Sequence, residues 1–141
     1  MECFEIGKTG RLITVCFQRG ELLLEGLLGA LQDHGIKNAV LLGAIGSLQK
    51  VHYHRVLSLE EEPHDEYLML EAPCEISAAQ GIVLDGSAHL HFVFSDLKTT
   101  YSGHLEPGTE VLYLVEATLA EIPDCEVKRL KNEHNIAYFA K

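Results

Sequence analysis

The sequence predicts an α+β domain in which a mostly antiparallel or mixed β-sheet packs against one main helix. Three observations lead to this prediction. Many segments are rich in β-branched and aromatic residues and are separated by turn residues. One segment, from Glu21 to His34, has leucines at helical spacing. A length of 141 residues suits a single domain, residues 1–141, with its own core.

The first part of the chain is predicted to form two strands and the helix. Residues 4–8 are predicted as a short strand that ends at Thr9–Gly10, and residues 11–18 as a second strand that ends at Arg19–Gly20. Gly35 is well placed to end the helix in the left-handed conformation. The apolar stripe of the helix consists of Leu24, Leu27, Leu28 and Leu31.

The middle of the chain is predicted to form a long, irregular strand. Residues 36–45 are almost all apolar, which predicts a strand buried on both faces or close to it. The glycines that follow lack the Lys-Ser/Thr of a phosphate loop and are interpreted as a bulge or bend. Residues 48–56 alternate again, with His52 and His54 on the same face as Lys50. Because Lys50 shares it, we interpret this face as solvated. A second metal site is disfavoured, because no third ligand lies at a predictable spacing.

Three more strands are predicted over residues 67–70, 75–84 and 111–119. Ala72–Pro73 separates the first two and demotes that part of the chain to an edge strand or a bulge, because proline cannot donate to the ladder. The tail, residues 126–141, is basic and then apolar.

The segment from Ser87 to His104 carries the main functional signal. His89 and His91 are two apart on a predicted strand, so they point to the same side. If the chain reverses around Leu97–Lys98, antiparallel pairing places His104 opposite His91. Three neutral imidazoles can bind zinc and leave a fourth position open for water or substrate. The pattern predicts a metal site; the alternative is a strand whose histidines are only half-buried and hydrogen-bonded.

Charge and composition exclude several classes of protein. Eleven basic and twenty-one acidic side chains give a net charge of −10 with histidine neutral, and an acidic surface repels phosphate backbones, so unaided DNA binding is disfavoured. No apolar run reaches the roughly 18 residues of a membrane span, so no membrane partner is expected. Four separated cysteines and an acidic N-terminal segment unlike a secretory signal predict a cytoplasmic protein.

The chain resembles the plants-and-prokaryotes-conserved (PPC) domain family over nearly its whole length. The most specific part of the resemblance is His89-Leu90-His91 followed by Gly103-His104-Leu105. Weaker matches run from Gly20–Glu21 to Gly108. The chain departs from the family pattern at Ala88, where the family usually has proline, and at Ser102, where it usually has glycine. Neither departure removes a histidine.

The resemblance implies a homotrimer and, as in prokaryotic members, a metal ion held by His89, His91 and His104, with zinc indicated by the ligand type. Plant members attach a basic AT-hook ahead of the domain. This sequence contains no Arg-Gly-Arg-Pro segment, so it is similar to the stand-alone prokaryotic type. DNA is therefore expected as a partner only weakly or indirectly, and the sequence does not reveal which small-molecule ligand, if any, the protein binds.

Three function classes follow from the sequence. The first is a metal-binding homotrimeric module of unresolved cellular role. The second is a DNA-binding or transcription-associated protein that acts with basic partners. The third is a zinc-dependent hydrolase, with Glu75 and Glu106 as candidate catalytic carboxylates. Both carboxylates are also interpreted as surface groups or as groups that orient a histidine, so the sequence leans away from an enzyme.

Overall fold

A computed structural model describes residues 1–141 as eight strands and one helix. The elements, in chain order, are β1 (Leu12–Gln18), α1 (Leu23–Asp33), β2 (Ala39–Val56), β3 (Asp65–Leu84), β4 (Ser87–Ser95), β5 (Thr100–Leu105), β6 (Glu110–Glu121), β7 (Lys128–Lys131) and β8 (Ala137–Ala140). Strands β1 to β6 form one sheet in the order β1-β6-β2-β3-β4-β5, and β7 and β8 form a separate hairpin. Every pairing is antiparallel, which confirms the predicted α+β class.

The long strand β2 closes part of the sheet into a ring of strands. Along its length β2 pairs with β3 and β6. Near its end, Tyr53 and His54 also pair with Leu105 and His104 of β5. Because β3 pairs with β4 and β4 with β5, the four strands β2, β3, β4 and β5 form a closed circuit. This closure brings together side chains that are far apart in the sequence.

The helix α1 packs its leucines against the sheet. Its buried residues are Leu23, Leu24, Leu27 and Leu31. They join a core of 24 buried residues that includes Phe17 and Phe94. Gly26 permits the close approach, because a Cβ at this position would lie 2.4 Å from Phe17 Cε1. Gly35 follows the helix with a φ of 67°, as predicted. The chain has no helix long and apolar enough to cross a membrane.

Several predicted strand boundaries were wrong. Residues 4–8 form no strand, because no other segment pairs with their backbone, and Phe4 instead packs edge-on against the Phe139 ring at 6.4 Å. The segments predicted over 67–70 and 75–84 are one strand, β3. The register between β2 and β3 shifts near Pro73, so this proline lies at a bulge of an internal strand rather than at an edge.

One face of the sheet is apolar and open. Leu42 and Ile45 of β2 are 58% and 59% exposed, so the prediction that residues 36–45 are buried on both faces is wrong for the isolated chain. These two side chains line an open groove of about 670 Å³ that crosses β1, β6, β2 and β3.

Candidate metal centre

Four histidines from three strands meet where β5 closes against β2. His89 and His91 lie on β4, His104 on β5 and His54 on β2. His91 is opposite His104 in the pairing of β4 with β5, which confirms the predicted hairpin register. His54 is opposite His104 in the pairing of β2 with β5, so a fourth histidine joins the three that the sequence singled out.

The three histidines of the hairpin form a compact group. The Nε2 atoms of His89 and His91 are 3.2 Å apart, and two nitrogen ligands of one tetrahedral zinc ion would be about 3.3 Å apart, given the usual Zn–N distance. The ring centroids are separated by 5.1 Å for His89–His91, 5.2 Å for His89–His104 and 5.5 Å for His91–His104. The rings therefore stand at nearly equal separations on one side of the hairpin.

The imidazole of His104 is turned toward Glu106. Its buried Nδ1 lies 2.9 Å from Glu106 Oε1, but at an angle that does not make a hydrogen bond. The same oxygen contacts His54 Nδ1 at 2.5 Å, and the rings of His54 and His104 stack with centroids 4.5 Å apart. His54, His104 and Glu106 each offer one atom that could bind a metal ion, and these three atoms lie within 4.8 Å of one another. The set of His89, His91 and His104 does not meet this distance.

Burial keeps the histidines of the hairpin neutral. It is the main cause that lowers the pKa of His89, His91 and His104. Neighbouring His104 and the guanidinium of Arg129 lower the pKa of His89 further, whereas the Glu106 carboxylate acts in the opposite direction on His104. Neutral imidazole is the form that binds a metal ion, so burial favours the ligating form of these histidines.

The two candidate carboxylates have different surroundings. Glu106 contacts two histidines and its side chain is only 16% exposed. Glu75 is exposed and lies opposite Ser95, at the other end of β4 from His89. The structure therefore brings Glu106 to the histidine group and leaves Glu75 outside it.

The interpretation of His52 and His54 as a solvated face was wrong for His54. The His54 side chain is 19% exposed, because β5 and Glu106 cover it. His52 lies at the margin, with Nδ1 2.7 Å from the carbonyl oxygen of Pro107. The available signal was a second His-x-His pair on a predicted strand. The strand that covers His54, β5, lies far along the chain, so the spacing of residues could not show that the two strands pair.

Comparisons with known proteins agree with this fold. Residues 4–123 match the family model of the Plants and Prokaryotes Conserved (PCC) domain, the family abbreviated PPC above. No curated protein matches the chain by sequence.

Three solved structures are similar along almost the whole chain. A metal-containing protein from Archaeoglobus fulgidus has a TM-score of 0.83 and 21% identity, covering 100% of both chains. A plant- and prokaryote-conserved protein from Pyrococcus horikoshii has a TM-score of 0.81 and 22% identity, covering 99% of this chain and 98% of that one. A candidate DNA-binding protein from Bacteroides thetaiotaomicron has a TM-score of 0.76 and 13% identity, covering 96% and 98%. These likenesses establish the fold, and the family match establishes that the chain belongs to the PPC domain family.

Proposed function

We propose that this protein is a homotrimeric metal-binding module whose metal ion, zinc by ligand type, is held by His89, His91 and His104. The observation that carries the proposal is the separation of 3.2 Å between the Nε2 atoms of His89 and His91. A hydrogen bond donated by one neutral imidazole to the other would give this separation, and two nitrogen ligands of one zinc ion would give it as well. The A. fulgidus neighbour, named as metal-containing, supports the same function.

His104 and Glu106 fit this metal as a ligand and its supporting carboxylate. A histidine that binds zinc through one ring nitrogen usually donates the other to a carboxylate, which fixes its tautomer and orientation. His104 Nδ1 already lies 2.9 Å from Glu106 Oε1, which leaves Nε2 for the metal. A bound zinc ion with an open position would supply a Lewis acid and a water of lowered pKa.

The test is metal content by elemental analysis of untagged protein, with mass determined by light scattering. We expect about one zinc ion per chain, as three protein ligands would hold it. His91→Ala should lose the metal and keep the trimer. The matched control is His64→Ala, which removes an exposed histidine paired with Glu60. A wild-type protein that takes up no zinc would overturn the proposal, and loss of metal in His54→Ala but not in His91→Ala would move the site to His54, His104 and Glu106.

The open apolar face supports the trimer. Leu42 and Ile45 expose more than half of their side chains on the sheet, and burial of such a face between subunits would remove that apolar surface from water. Leu42→Glu should therefore shift the mass in solution to that of one chain. The control is Leu97→Glu, which changes a 99% exposed leucine in the β4–β5 turn and should leave the assembly intact. A trimer that persists in Leu42→Glu would place the interface elsewhere.

DNA binding together with a basic partner is a second candidate. The name of the B. thetaiotaomicron neighbour favours it, whereas a net charge of −10 opposes direct contact by this chain. Fluorescence anisotropy with labelled duplex DNA, with and without the partner, tests it. Binding that weakens steeply with salt would support this function, and no binding at low salt would remove it.

A zinc-dependent hydrolase is the third candidate, favoured by the position of Glu106 beside His104. Because Glu106 Oε1 already contacts two imidazoles, this carboxylate is better suited to orienting His104 than to accepting a proton from water.

The four cysteines are all unpaired, and this supports a place in the reducing cytoplasm.

A further inference from the structure

The C-terminal hairpin brings a guanidinium next to the histidine group. Arg129 of β7 donates hydrogen bonds to the carbonyl oxygens of Ser87, at 3.1 Å from Nη1, and of Ile82, at 3.5 Å from Nη2. Its guanidinium also lies over the ring of Phe139, 5.8 Å from the centroid. These contacts hold Arg129 at the start of β4, two residues before His89.

Arg129 is partly buried and has no carboxylate partner. Arg11 and Arg55 contact the carboxylates of Glu121 and Glu66 at 2.7 and 2.9 Å, whereas Arg129 forms no ion pair within the chain. Burial lowers its pKa, but a guanidinium stays charged in proteins. A desolvated charge without a counterion is unfavourable, so an anion that reached Arg129 would be stabilised.

Arg129 and His89 line the same pocket. Its volume is about 320 Å³, which is at the lower end of the range for small-molecule sites. Its aromatic walls are Phe4, Tyr138 and Phe139. Glu2 also lines the pocket, but its carboxylate makes no ion pair with Arg129. The pocket therefore combines one unpaired cation, apolar walls and a histidine of the candidate metal centre.

We propose that this pocket binds a small organic carboxylate, with the carboxylate on Arg129 and the hydrocarbon part against the aromatic walls. The proposal rests on the proposed metal site and names the class of ligand for it, because His89 belongs to both. Guanidinium and carboxylate groups pair through strong, geometrically specific hydrogen bonds, and zinc also accepts carboxylate oxygen. Inorganic phosphate would meet the same cation but has no group for the aromatic walls.

The experiment uses benzoate as the probe, titrated calorimetrically into the full-length zinc-loaded protein. Benzyl alcohol, which has the same ring without the charge, should not bind, and inorganic phosphate should bind more weakly than benzoate. Arg129→Gln should weaken benzoate binding at least about tenfold, because it removes a charge-assisted hydrogen bond. Arg129→Lys keeps the charge and should weaken it less. Arg55→Gln, which changes an exposed arginine, should have no effect, and thermal unfolding of each variant reports on the fold.

Equal affinity of benzoate for the wild type and Arg129→Gln would overturn the proposal, as would a zinc-loaded wild type that does not bind benzoate. Phosphate that binds as tightly as benzoate would also overturn it, since the aromatic walls would then play no part. Failure of the metal site has a different signature. If the protein takes up no zinc yet binds benzoate in an Arg129-dependent way, the metal is withdrawn and the anion pocket stands.

Discussion

Replacement of Glu106 by Gln tests whether this carboxylate supports a metal site through His104. Glu106 Oε1 lies 2.5 Å from His54 Nδ1 and 2.9 Å from His104 Nδ1, and the side chain is 16% exposed. Glutamine keeps the size of the side chain but removes the negative charge. That charge favours a proton on Nδ1 of His104, which leaves Nε2 of the same ring free to bind a metal ion. Partners of this kind change metal affinity by about 10–100-fold, or about 1.4–2.8 kcal/mol. We expect the zinc affinity of Glu106→Gln to fall by an amount in that range.

The assay is competition for zinc against a chromophoric chelator at constant pH. The matched control is Glu75→Gln, the same chemical change at an exposed carboxylate on β3, which should bind zinc as the wild type does. The double variant His54→Ala/Glu106→Gln should lose less than the sum of the two single losses, because both residues act on His104 through one contact network. A Glu106→Gln affinity within about twofold of wild type would refute this reasoning. A loss far beyond a hundredfold would instead identify Glu106 as a ligand.

Two further predictions concern stability. On α1, Gly26→Ala should lower the free energy of unfolding by about 1–3 kcal/mol, because its Cβ would lie 2.4 Å from Phe17 Cε1. Gly29→Ala meets no atom within 4 Å and should raise the free energy of unfolding by about 0.5–1 kcal/mol. Urea unfolding in which the two substitutions changed this free energy in the same direction would contradict the prediction. Hydrogen bonds from Arg11 lower the pKa of Glu121 from 4.5 to about 2, so this carboxylate stabilises the fold above pH 4.5 and loses that effect as the pH falls toward 2. The unfolding midpoint of the wild type should exceed that of Glu121→Gln near neutral pH, and a difference that stayed constant down to acid pH would be evidence against the pair.

The histidine hairpin could be predicted from the sequence because its information is local. Two histidines at a spacing of two share one side of any strand, and a turn near Leu97 then fixes their partner. The turn forms as expected: Asp96 Oδ1 accepts hydrogen bonds from the backbone N–H groups of Lys98 and Thr99 at 2.7 and 2.8 Å. The departure from the family pattern at Ser102 did not alter the register, because Ser102 pairs with Val93 within an unbroken ladder.

His54 could not be predicted because its position depends on a pairing between strands that are not consecutive. Alternation of polarity showed that His52 and His54 share a face, but it carries no information about which strand covers that face. The same limit explains why residues 4–8 were wrongly predicted as a strand: their sequence has the pattern of a strand, but no other strand pairs with them. Gly46 shows a different limit, because a glycine in the sequence need not end a strand. It has a φ of 136°, and a Cβ there would lie 2.1 Å from the Leu114 carbonyl oxygen. This glycine therefore marks a close approach of β6 to β2, and β2 continues beyond it.

The pairing of β2 with β5 also determines when during folding the histidine group is completed. The β4–β5 hairpin is local and can form early, whereas contact between His54 and His104 joins segments far apart in the sequence and closes a longer loop at a greater cost in conformational entropy, so we expect it to form later. A peptide that contains the hairpin alone would therefore have His89, His91 and His104 but neither His54 nor the surroundings that bury them. A metal ion that binds the finished group would favour only chains whose strand circuit has closed, and zinc would then act as a selective stabiliser of the completed topology.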